Sequence, residues 1–282
     1  MTIERVVFHL GLHKTGTTSV QNAFDRARAQ LAELGAHYIP LEHARRSLTA
    51  LLIRPHEKER AEARAVFAAM PQRCLLLSDE NIIGGLADPL AGQLYPEAEP
   101  RIRSLTQILP DAEVHVVIVL RSPQSFFPAL YSEYLRHGTF VRFQDYVAGL
   151  DLKDFGFRKH FQFAADAGIK AHWHFLPFEA DLGGGVPAAY DLLAKLLVGA
   201  DAPKLGPFPD LRMRASLTAE EMALVADAGE QMGGSMATAV TRLLASRDTR
   251  LGTTPFRPMD ASLAEELAAR YREDVSWLMR IG

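Results

Sequence analysis

The segment Gly11-Leu12-His13-Lys14-Thr15-Gly16-Thr17-Thr18 sets two glycines, a lysine and three hydroxyl side chains between an apolar run and an amphipathic one. Successive amides at the entry to a helix, backed by its positive end, make a cradle for an anion such as phosphate. A Walker A loop would read G-x-x-x-x-G-K-[ST], but here Thr17 follows the second glycine and Lys14 lies two residues before it. From the crest of the loop, the Lys14 ammonium reaches the bridging oxygen of a bound phosphate-containing donor, while Thr17 and Thr18 offer hydroxyls to the same phosphate. The plainer reading is an ordinary strand-to-helix turn with a surface lysine. The coincidence of strand, glycines, lysine and hydroxyls weighs against it.

Lys14-Thr15-Gly16-Thr17-Thr18 resembles the 5′-phosphosulfate-binding loop of sulfotransferases that use 3′-phosphoadenosine 5′-phosphosulfate (PAPS), a family whose fold is a relative of the P-loop proteins. The resemblance implies that Lys14 stabilises the leaving phosphate oxygen. It also implies that the amides of Thr15, Gly16, Thr17 and Thr18, with the hydroxyls of the last two, hold the 5′-phosphate. The family's second signature is an arginine ending a central strand and a serine eight residues later, both on the donor's 3′-phosphate. Val116 to Leu120 runs into Arg121-Ser122-Pro123 as that pattern asks, but the eighth position is Ala129. Ser132, about one helical turn further, replaces the hydroxyl if the segment interrupted by Pro128 allows it; otherwise the site does without one. For Arg121 alone the plainer reading is a surface ion pair or a helix-entry charge. His172 to Glu179 is similar to the family's late strand, and Arg214 to Leu217 to a donor-binding segment, without that segment's usual residues. Where some relatives carry a tryptophan after the loop, this chain has Ser19, so no adenine-stacking aromatic is named.

Sulfuryl transfer to an alcohol or amine needs a base that faces Lys14 and takes the acceptor's proton. Leu75-Leu76-Leu77-Ser78-Asp79-Glu80-Asn81 ends an apolar strand in polar residues, and resembles the Ser-x-Glu of many bacterial sulfotransferases, so Glu80 is the expected base. The alternatives are Asp79 as base, or Ser78 or Asp79 as a helix cap with Glu80 at the helix's positive end. Histidines compete for the part of base: His13 neighbours Lys14 and either serves there or simply lines the loop, while His9 reads as a core residue. His172 and His174 share one strand face, which admits a metal pair but places no third ligand, and a structural role is expected. Arg45, Arg46, Arg54, Lys58, Arg60 and Arg64 interleave with Glu57, Glu59 and Glu62, the pattern of a solvated helix face rather than of a site for an acidic acceptor.

The elements that must position these groups follow from the apolar periodicity. Val6 to Leu12, Cys74 to Ser78, Val114 to Leu120 and Ala171 to Phe178 read as buried strands. Helices are expected over Thr17 to Leu34, stopped at Gly35, over Glu57 to Met70 and over Arg101 to Leu109, with a loop from Gly84 to Pro100 that can lie over a site. Thr218 with Glu221, and Ser262 with Glu265, have capping-box spacing, so the last third reads as helical. The expected fold is α/β: a three-layer, P-loop-like parallel sheet flanked by helices, with a helical extension over roughly residues 186–282, all in one domain of 282 residues.

Composition bounds the function. A chain that is 48% hydrophobic and 23% charged buries a core, and a net charge of −3 provides no global basic field for nucleic acid or anionic lipid. Cys74 is the sole cysteine, so neither an intrachain disulfide nor a cysteine-based zinc site is available. Neither a signal peptide nor a membrane-spanning run is read, and the cytoplasm is the expected compartment. The expected activity is PAPS-dependent sulfuryl transfer to a hydroxyl or amine of a small-molecule, glycan or lipid acceptor, leaving adenosine 3′,5′-bisphosphate and requiring no metal. A P-loop small-metabolite kinase and a non-catalytic nucleotide-binding protein on the same fold are the alternatives. Acceptor identity and oligomeric state are left open.

Overall fold

A computed structural model describes residues 2–54, 56–202, 216–247 and 249–282. Five strands, β1 (Arg5–His9), β2 (Ala36–Ile39), β3 (Cys74–Ser78), β4 (Glu113–Leu120) and β5 (His172–Pro177), form an all-parallel sheet in the order β2-β3-β1-β4-β5. Four of the five coincide with the expected runs. The strand β2 does not; it is only four residues long, at the sheet edge beyond Gly35, and too short for a period-two pattern to show. Regular β1 stops at His9, three residues short of the expected end, yet the amides of Leu10 and Leu12 still bond to the carbonyls of Val117 and Val119.

Alternation along the strands divides the core in two. Val7, Leu76, Val117 and Val119 face the helices α1 (Thr17–Glu33) and α9 (Val186–Val198), meeting Val20, Phe24, Leu31, Tyr190 and Leu193. On the other face Val6, Phe8, Leu75, Leu77, Val116 and Ile118 are buried. They share that layer with Phe67 of α4 (Glu57–Ala68), Ile102 and Leu105 of α5 (Ala98–Ile108), and Phe126 and Phe127 of α6 (Pro123–His137). The short helices α2 (Leu41–Ser47), α3 (Thr49–Leu52), α7 (Phe143–Val147) and α8 (Phe157–Phe161) fill the connections.

The last third is helical as expected: α9, then α10 (Ala219–Met232), α11 (Gly234–Ala245) and α12 (Ala261–Ile281). Two of these helices belong to the layers rather than to an appendage, because α9 covers one face and α12 packs on β5 and α6 through Leu267, Tyr271, Val275 and Leu278. Thr218 and Glu221 form the expected capping box at α10. At α12 the expected Ser262–Glu265 box is replaced by Asp260, whose carboxylate accepts from the Leu263 amide two residues nearer the true start. Among the described residues, no helix is long and apolar enough to cross a membrane.

Candidate functional site

In a sheet of this order, the connections after β1 and β4 diverge, and their carboxyl ends open a crevice. The segment Gly11 to Thr18 lies at that crevice. Lys14 (φ 65°) and Gly16 (φ 82°) take left-handed conformations in alternation with their neighbours, the curvature that turns consecutive amides to one side. Among the described residues, the amides of Thr15, Gly16, Thr17 and Thr18 have no hydrogen-bond acceptor. The Thr15 hydroxyl donates to the Leu12 carbonyl and closes the loop. Gly16 is confined: a Cβ there would stand 2.5 Å from Val186 Cγ2 at the start of α9. Gly11 allows equally close packing, since a Cβ would meet Thr17 Cγ2 at 2.9 Å and His9 Nε2 at 3.0 Å.

Lys14 is held at both ends. Its carbonyl accepts from Arg121 Nη1 at 2.8 Å, and its ammonium lies 3.2 Å from Glu133 Oε2. Burial pushes its pKa down, Glu133 opposes that shift, and the nearby Arg136 and Arg121 add to it. Arg121 emerges from β4, donates through Nε to Ser125 Oγ at 2.9 Å, and lies over the Phe178 ring at 4.9 Å. Burial lowers its pKa too, against the attraction of Glu179, which accepts from the Ser122 amide and from the Tyr271 hydroxyl. The late-strand glutamate therefore ties β4, β5 and α12 together beneath Arg121.

Arg121 opens onto a cavity of about 920 Å³ that Ser125, Ala129, Arg250, Phe256 and Arg257 also line. Among the described residues, three arginines and one carboxylate, Glu265, line its wall. Arg250 pairs with the buried Glu221 at 3.2 Å. Ser132 is not at this wall. The helix α6 runs unbroken through Pro128, and Ser132 is buried, its hydroxyl accepting from the Leu217 amide at 3.2 Å. The hydroxyl beside Arg121 is that of Ser125, four residues along the chain instead of eleven. Of the Arg214 to Leu217 segment, residues 214–215 lie outside the described part; Ser216 and Leu217 do line the cavity.

On the other side of the loop, the end of β3 presents Asp79 and Glu80. Asp79 is buried and occupied: it accepts from the Thr49 hydroxyl at 2.7 Å, from the Asn81 amide as the cap of a 3₁₀ turn, and from Arg45. Glu80 pairs with Arg45 at 3.0 Å, and Gln21 of α1 reaches its other oxygen at 3.5 Å. Glu80, Thr18, Gln21, Arg28, Tyr38 and Arg45 line a second cavity of about 460 Å³. Lys14 and Glu80 are thus on the same sheet edge, with Lys14 turned toward α6 and Glu80 toward α2. Arg45 departs from the solvated-face pattern that its neighbours keep, as in the Arg46–Glu42 and Arg60–Glu57 pairs.

His13 is locked. Its amide donates to the Tyr95 oxygen at 3.3 Å; Asn81 Oδ1, an acceptor 3.1 Å from Nε2, puts the proton of the neutral ring on Nε2, which leaves Nδ1 to accept from the Tyr95 hydroxyl at 2.9 Å. Tyr95 comes from the Gly84 to Pro100 connection, which packs against the loop as a side support. His9 Nδ1 meets Ser78 Oγ at 2.8 Å, while Nε2 is buried with no partner among the described residues; burial takes its pKa down to about 4.

The expected His172–His174 pair does meet a third imidazole. His115 of β4 stacks between them, with His115 Nδ1 3.0 Å from His174 Nε2. Among the described residues no group of three such side chains is arranged to hold a metal.

Sequence reasoning missed Tyr95, Ser125, Glu133, Arg250 and Arg257. Only Ser125 left a local signal, being one turn beyond Arg121; the others arrive from distant segments. No protein-family model, curated protein or solved structure matches this chain.

Proposed function

We propose that this protein is a sulfotransferase that moves a sulfuryl group from PAPS to a hydroxyl or amine. One observation carries the reading: four amides that have no acceptor among the described residues curve around a site whose crest is a nearly buried lysine, itself fastened to Arg121 at the mouth of a cavity that Arg250 and Arg257 also line. The 5′-phosphosulfate rests on the amides of Thr15 to Thr18. The nucleoside end, with its 3′-phosphate, enters the larger cavity toward Arg121, Ser125, Arg250 and Arg257, where Phe256 offers an aromatic wall. The acceptor takes the polar cavity between Thr18 and Glu80. As the acceptor's oxygen or nitrogen bonds to sulfur, the bond from sulfur to the bridging oxygen breaks. Lys14 neutralises the charge left on adenosine 3′,5′-bisphosphate, and Glu80 receives the acceptor's proton.

A P-loop kinase would instead carry a lysine directly after the second glycine of the loop, where Thr17 stands, and Asp79 at the end of β3 is enclosed by Arg45, Thr49 and Asn81. Calorimetry with adenosine 3′,5′-bisphosphate against magnesium-ATP tests the donor. Preference for ATP overturns the reading. Sulfate transfer over a panel of alcohol, sugar, phenol and amine acceptors then separates an enzyme from a non-catalytic binder, which would hold the bisphosphate and turn over nothing.

A further inference from the structure

Glu133 belongs to no motif, yet it collects the basic groups around the loop. Oε2 lies 3.2 Å from Lys14 Nζ and 3.0 Å from Arg136 Nη1, and Oε1 lies 3.5 Å from His137 Nε2. The Lys14 and Glu133 side chains are only 10% and 9% exposed, so their attraction is weakly screened by water. Ser125, Ala129 and Glu133 follow one another at four-residue intervals and share a face of α6, which places this carboxylate further along the same wall that borders the larger cavity. An anion that settles on the loop must therefore take the ammonium from Glu133 or share it against the repulsion of a carboxylate.

We infer that Glu133 is a positioning residue that competes with a bound phosphate for Lys14 and so holds down the affinity of the loop for anions. The inference rests on the reading of the loop as the phosphate site, and it adds a restraint that the loop itself lacks.

The test measures binding of inorganic pyrophosphate and of adenosine 3′,5′-bisphosphate to the full chain by calorimetry, in the wild type, Glu133→Gln, Lys14→Gln and the double variant. Removing the competing charge is expected to tighten both pyrophosphate and the bisphosphate by about tenfold. The gain should vanish in the double variant, because it runs through Lys14. A merely structural role would weaken both ligands alike. Pyrophosphate binding that is unchanged or weaker in folded Glu133→Gln overturns the inference, as does a gain that survives in the double variant. Should Glu133→Gln not fold, Glu133→Asp keeps the charge but withdraws it by a methylene, and is expected to tighten pyrophosphate about threefold; no gain there overturns the inference equally. If pyrophosphate responds as expected while the bisphosphate binds none of the variants, the inference stands and the sulfotransferase reading falls.

Discussion

The guanidinium of Arg121 donates to the carbonyl of Lys14 across 2.8 Å, joining the end of β4 to the crest of the loop that follows β1. The same guanidinium holds Ser125 and borders the larger cavity, so whatever pulls on Arg121 there also pulls on the backbone that aims Lys14. Arg121→Lys keeps the charge but loses the two-directional fork. Its expected outcome is a roughly 10- to 100-fold loss of adenosine 3′,5′-bisphosphate affinity by calorimetry, the size of a charge-assisted hydrogen bond or two. Ser125→Ala should weaken the same ligand and Ser132→Ala should not, since the buried Ser132 hydroxyl is taken by the Leu217 amide.

Lys14→Ala is expected to lower sulfate-transfer turnover roughly 10²- to 10³-fold, with a smaller change in donor binding, as for loss of one preorganised electrostatic donor. Steady-state kinetics check it. Wild-type turnover in that variant would remove Lys14 from the chemistry.

The two carboxylates at the end of β3 should separate by stability and rate. Asp79→Asn breaks an enclosed network of Arg45, Thr49 and Asn81 and should cost about 3–5 kcal/mol in urea unfolding. Glu80→Gln should leave unfolding nearly unchanged while lowering turnover and removing the fall in rate at acid pH. An intact acid limb in that variant would exclude Glu80 as the base.

Gly16→Ala meets two obstacles at once, a left-handed backbone and a contact with Val186 that leaves no room for Cβ. The expected cost is about 1–3 kcal/mol in denaturant unfolding, together with loss of bisphosphate binding as the amides turn out of line. A variant as stable as the wild type that still binds would show that the curvature of the loop is dispensable.

Acid should destabilise the fold through its buried histidines. Burial takes His9, His160 and His174 down to about 4, with His115 and His172 adding charge repulsion at His174. The unfolded chain, with imidazoles near 6.5, then binds more protons than the folded one. Their contribution is fully present above about pH 6.5 and is lost as pH falls toward 4, with a slope for the enclosed His9 approaching ~1.4 kcal/mol per pH unit. Urea unfolding at pH 7.5, 6 and 5 checks the sign, and His160→Gln should flatten the dependence.

Although α6, after β4, is not among the expected helices, the sequence by itself determined the loop, four of the five strands, the helices begun at Thr17 and Glu57, the helical last third and the arginine at the end of β4. Each of these is written in neighbouring residues, as apolar runs, helical spacing, and glycines where the backbone must turn left-handed. The tertiary structure alone decided which side chains meet the loop. Glu133 reaches Lys14 from 119 residues away, Tyr95 reaches His13 from 82, and Arg250 joins Arg121 only because the segment before α12 folds back against α6. Ser132 shows the limit from the other side: its distance along the chain suited the missing hydroxyl, but the turn of α6 and the Leu217 amide claimed it. Backbone conformation and burial act between near neighbours and leave periodic traces in a sequence. Contacts across a parallel sheet's edge depend on how far each helix rotates as it packs, and no short-range pattern records that angle.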